Sequence, residues 1–121
     1  MMQKRVLVVD DDLPTRQMIA AVLSRASFAV DVCENGEQAF ARMEQEEYGA
    51  IVLALVQSDI PGDLQLFRRL DAKYVRPCVV VISAGSQATM DAIDSEAIRA
   101  RLRKPFQIDE LVGAVTGCFP S

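Results

Sequence analysis

The stretch RVLVVDDDLPTR, Arg5 to Arg16, decides how this chain is read. Its first half is an apolar run, Val6 to Val9, too short and too rich in valine for a helix and without a polar face. That predicts a strand buried on both sides. Its second half changes character, because three aspartates in a row are followed by Pro14, and proline suits the first turn of a helix. Asp12 is expected to accept the orphan backbone N–H groups of that helix. Asp10 and Asp11 are left at the carboxyl end of the strand.

The same alternation runs through the rest of the chain. AIVLALV at Ala50 to Val56 and CVVVIS at Cys78 to Ser83 read as further interior strands, while AVDVC at Ala29 to Cys33 and RARLR at Arg99 to Arg103 alternate apolar with charged residues, as edge strands do. Helices are expected between them. Pro14 to Ala26 carries a stripe of Met18, Ile19, Val22 and Leu23, and Gly36 to Glu46 carries Ala39, Phe40 and Met43. Asp63 to Tyr74, the shorter Ser86 to Ser95, and Asp109 to Cys118 with Leu111, Val112 and Val115 complete the set.

Strands separated by single helices imply parallel pairing with helices on both faces. The expectation is a three-layer, doubly wound α/β domain of the flavodoxin-like kind, with about five helices around a parallel sheet of order 2-1-3-4-5. In such sheets the site lies at the carboxyl ends of the strands, so Asp10, Asp11, Leu55 to Asp59, Ser83, Ala84 and Lys104 should converge.

Composition narrows the function. A chain of 121 residues, 50% hydrophobic and 25% charged, is expected to form one unit over residues 1–121 with a core that needs no staple. Thirteen basic against seventeen acidic residues give a net charge of −4, which argues against nucleic acid and against an anionic membrane surface. Residues 1–60 hold five Lys and Arg against ten Asp and Glu, and residues 61–121 hold eight against seven, so acid gathers early and base late. The absence of histidine removes imidazole bases, ligands and phosphoryl carriers. Three cysteines, Cys33, Cys78 and Cys118, with no CxxC spacing read as reduced, inert thiols. With neither a signal h-region nor a membrane span, the expected location is cytoplasmic.

VLVVDDD, NGEQA at Asn35 to Ala39, VVVISA and KPF at Lys104 to Phe106, in this order and across nearly the whole chain, resemble the receiver domain of two-component response regulators. The resemblance implies Mg²⁺ on Asp10 and Asp11, a phosphoryl group contacted by Ser83 and neutralised by Lys104, and an acceptor aspartate at the end of the third strand. Counting from Tyr48-Gly49, that acceptor position is Ala54, and aligning on Pro61 instead makes it Gln57. Neither supplies a carboxylate, so phosphorylation loses its nucleophile and Mg²⁺ binding is weakened. Asp59, in QSDIPG, is the conditional substitute. The aromatic switch residue that the family carries before the lysine is Arg101 here.

The resemblance therefore implies a non-enzymatic pseudo-receiver, a protein-interaction module of phosphorelay signalling. Its partners would be a histidine kinase, an output domain or another signalling domain, met through the face of the fourth helix, fifth strand and fifth helix, with a homodimer as another use of that face. Arg99, Arg101 and Arg103 would share one side of the fifth strand, as a docking row or as edge protection. Without a phosphoryl group, Lys104 would pair with Asp10 or Asp11. The competing readings are a receiver phosphorylated on Asp59 and, more remotely, a flavodoxin-like cofactor carrier. The latter lacks a glycine-rich phosphate loop after the first strand.

Overall fold

A computed structural model describes residues 4–55, 78–83, 98–103 and 106–119. Five strands, β1 (Arg5–Val9), β2 (Ala29–Cys33), β3 (Ala50–Leu55), β4 (Cys78–Ser83) and β5 (Ile98–Arg103), form one parallel sheet of order β2-β1-β3-β4-β5. This is the flavodoxin-like order expected, with the alternating runs at the two edges. Among the described residues there are three helices, α1 (Leu13–Arg25), α2 (Gly36–Gln45) and α3 (Ile108–Thr116), the last being the fifth helix of the sequence reading. The helices expected at Asp63 to Tyr74 and Ser86 to Ser95 lie outside the described residues, as does Val56, the last residue expected in β3.

Successive residues of a strand point to opposite faces, and the core divides accordingly. Val6, Val8, Ala50, Val52, Val80 and Ile82 pack with Ile19 and Leu23 of α1 and Leu111 and Val115 of α3. Leu7, Val9, Ile51, Leu53, Val79 and Val81 pack on the other side with Ala39, Phe40 and Met43 of α2. Three layers result. Met18, expected on the buried stripe, is 42% exposed. Ile19 and Leu23 face the sheet, and Met18 precedes Ile19 by one residue, about 100° around the helix.

The helix ends follow local chemistry. Asp12 caps α1, its Oδ2 accepting the Thr15 N–H at 3.1 Å and the Thr15 hydroxyl as well. Asn35 caps α2 through the Gln38 N–H at 2.9 Å. At the other end of α1, Ser27 has φ of 74°, where an L side chain crowds its own backbone. Ser27→Gly should therefore raise stability by about 1 kcal/mol, read as a higher denaturation midpoint at unchanged m-value.

β5 departs from the simple alternation. Val79 is opposite Ile98 but Val80 is opposite Ala100, so the register shifts by one residue at Arg99. Ile98 consequently packs with the α2-side cluster, whereas Ala100 and Leu102 pack with the α1/α3 side. The expected single row of arginines is thereby split. A Cβ built on Gly117, just past α3, would lie 3.7 Å from Arg99 Nε, while Arg101 and Arg103 alternate with Ala100 and Leu102 and so belong to the opposite face.

A second correction concerns the thiols. Cys78 and Cys118 form a disulfide, with Cα atoms 5.6 Å apart. Their 40-residue separation carries no local signal, and only the fold sets the start of β4 beside the turn after α3. Cys33 is free and buried. Among the described residues no helix is long and apolar enough to cross a membrane.

Candidate functional site

Parallel register carries Asp10, Ala54 and Ser83 to one end of the sheet. Val9 is opposite Leu53, so Asp10 and Ala54, each one residue further on, lie level on neighbouring strands. Ala54 is opposite Ile82, Leu55 opposite Ser83, and Ser83 opposite Arg103. Asp10 and Ala54 both continue the α1/α3 side of the alternation. Arg101, opposite Val81, stands two residues back from that rim and is exposed. Gln57, Asp59 and Lys104 lie outside the described residues.

Asp10 is the one buried charged residue among those described, at 1% exposure. Its N–H donates to the Cys33 carbonyl at 3.2 Å and its Oδ1 accepts the Asp12 N–H at 2.9 Å. Its main-chain oxygen accepts from the Arg16 guanidinium at 3.0 Å. Burying a carboxylate is costly, and here the Asp12 N–H at the start of α1 partners one of its oxygens while the Arg16 cation stands on the adjoining main-chain oxygen. Asp12 is committed to the helix cap, and Asp11 is exposed. Arg16 was not singled out by the sequence. Its sole signal was a basic residue on the helix that follows the acidic run.

At Ala54, one of the two positions to which the resemblance assigns the acceptor, the structure has a methyl group 8% exposed. A methyl group cannot attack phosphorus or carry an acyl phosphate. The divalent cation implied by the resemblance would draw oxygens from Asp10 and Asp11, yet among the described residues no group of three or more His, Cys, Asp or Glu side chains could hold a metal ion. The Arg16 guanidinium adds positive charge beside Asp10. These residues do not fit a tightly held divalent ion.

Two side chains, Cys33 beside the rim and Tyr48 just before β3, have displaced proton affinities. Burial pushes the Cys33 thiol up to about 11, against a smaller opposing pull from Arg42. The thiol stays protonated at neutral pH and is a poor nucleophile. The unfolded chain loses this proton near pH 9 and the folded chain near pH 11, so the stabilisation is complete below pH 9 and is lost as pH rises through that window. Cys33→Ala should remove a fall on the order of 2 kcal/mol across it, measured by urea titrations on either side. Tyr48 is likewise raised, by burial first and then by its hydrogen bond to Asp31 at 2.6 Å. Asp31 also meets Arg5, which bridges to Glu46, each at 3.5 Å. This network ties β2 to β1 and to the end of α2, away from the candidate site.

The sheet order agrees with what the comparisons with known proteins show. The chain matches the response regulator receiver domain over residues 6–116, and it belongs to that family. It is 29% identical over 115 residues to the response regulator receiver protein CpdR of Brucella abortus, covering 93% of both chains. It is 27% identical over 110 residues to the transcriptional regulatory protein ResD of Bacillus subtilis, covering 91% of this chain but 45% of ResD, so the chain spans about half the length of that relative. Among solved structures, a signal receiver domain of a response regulator from Bermanella marisrubri superposes with a TM-score of 0.84 at 29% identity, covering 97% of this chain and 98% of that one.

Proposed function

We propose that residues 1–121 act as a phosphorylation-independent pseudo-receiver, a non-enzymatic interaction module of a cytoplasmic two-component pathway. The observation that carries this reading is the level placement of Ala54 beside Asp10, where the family's chemistry requires a carboxylate. The buried Asp10, with Oδ1 held by the Asp12 N–H and its main-chain oxygen by Arg16, supports a site held in one state. Mg²⁺, if bound through Asp10 and Asp11, is bound weakly. The docking surface is the exposed Arg101 and Arg103 side of β5, and its partner is an acidic surface on a kinase, an output domain or a second copy of the chain.

The test is exposure of the whole chain to acetyl phosphate, and separately to beryllofluoride, each with Mg²⁺. The expected outcome is no gain of phosphoryl mass and no shift of backbone amide resonances around Asp10 and Ala54. A phosphoryl group on Asp59, lost in Asp59→Asn, would overturn the proposal.

A further inference from the structure

We infer that Cys78 and Cys118 form a reversible redox latch that holds the end of α3 against the amino-terminal rim of the sheet. Cys78 is the first residue of β4, and Cys118 lies in the turn after α3. Both are partly exposed, so a small thiol can reach the bond. The next residue, Phe119, packs on Phe28 with ring centroids 5.6 Å apart. It also lies over Gly49, where a Cβ would come within 2.2 Å of the ring. Gly49 in turn accepts the Cys78 N–H at 3.2 Å. The bond thus closes a rim built from the entries to β2, β3 and β4.

Apart from the disulfide and the Phe119 ring, the hydrogen bonds that hold this turn are local. Gly117 N–H donates to the Gly113 carbonyl at 3.0 Å, Cys118 N–H to Val115 at 3.0 Å and Phe119 N–H to Thr116 at 3.1 Å. The third cysteine does not compete. Cys33 ends β2 at the opposite rim, is buried in the α2-side cluster, and keeps its proton at neutral pH.

The chemistry is thiol–disulfide exchange with a low-molecular-weight dithiol. One thiolate of the reductant attacks a sulfur of the pair, and its second thiol then resolves the mixed disulfide. Two electrons and two protons pass to the chain, leaving two cysteine thiols and the oxidised, cyclic reductant. A low-molecular-weight disulfide takes the two electrons back in the reverse direction. Reduction leaves the sheet core in place and releases the turn after α3. The inference stands independently of the Ala54 site, which lies at the other end of the strands.

The test uses the whole chain. Alkylation and peptide mapping of the air-oxidised protein should yield a linked Cys78–Cys118 peptide, with Cys33 alkylated only after denaturation. Reduction should then speed amide exchange at Gly117, Cys118 and Phe119 by roughly tenfold or more, while Leu7, Val8 and Val52 keep their protection. Reoxidation should restore the slow pattern, and the Cys78→Ser/Cys118→Ser protein should show the fast one without reductant. Absence of the linked peptide, identical exchange in both redox states, or loss of sheet protection on reduction would each overturn the latch.

Discussion

On the proposed reading, replacing Ala54 with aspartate should yield a variant that gains a single phosphoryl group from acetyl phosphate in the presence of Mg²⁺, where the parent gains none. The side chain at this position lies level with Asp10 on the adjacent strand, so the new carboxylate would stand beside the retained acid at the carboxyl ends of β1 and β3. It would supply both the missing nucleophile and a further oxygen ligand for the metal. The substitution carries a cost, because Ala54 is 8% exposed and Asp10 1% exposed. Two carboxylates brought together in a poorly solvated site disfavour joint ionisation, and without metal the variant should lose about 2–4 kcal/mol of stability. Mg²⁺ should restore part of that loss in Ala54→Asp and leave the parent midpoint nearly unchanged. Mass spectrometry with and without metal, beside thermal melts, reads both effects. A folded variant that binds Mg²⁺ yet stays unmodified would move the cause of the lost chemistry away from Ala54.

Reduction of the Cys78–Cys118 bond should produce the largest change in global stability. The bond closes a 40-residue separation, which limits the unfolded chain far more than it limits the native one. The chain-entropy relation gives about 4 kcal/mol for a loop of this size, and for a domain of this length the melting temperature should fall on the order of 15 °C. A typical domain retains enough stability to remain folded at 25 °C after such a loss, which is the condition under which the released turn is visible in amide exchange. Calorimetry with and without a dithiol reductant measures it, and the Cys78→Ser/Cys118→Ser protein should melt where the reduced parent does. A shift of only a degree or two would mean that the bond adds little to what Phe119, Phe28 and Gly49 already provide.

The parts of the molecule legible in the sequence are those governed by neighbours in the chain. Val6 to Val9 and Cys78 to Ser83 announce strands because a short, wholly apolar run has no other stable use in a domain of this size. Asp12 announces a helix start because a cap bond spans three residues. The spacing from Tyr48-Gly49 also placed Ala54 near the end of β3, where the structure has it. Less legible were features that depend on which side chain faces which. Met18 turns outward because Ile19 and Leu23 take the buried arc of α1, and Arg99 leaves the row of Arg101 and Arg103 because pairing with β4 shifts at that residue.

The amino-acid sequence by itself determined the order of the described elements, the two edge strands, the acidic end of β1 and the methyl side chain near the end of β3. All of these rest on side-chain chemistry and periodicities that act over a few residues. Tertiary structure alone decided that Arg16 binds the Asp10 carbonyl, that Tyr48 meets Asp31, and that Cys78 joins Cys118 rather than remaining a thiol. Those contacts arise only after parallel pairing and helix packing have brought distant segments together, and no spacing along the chain encodes the distance between them.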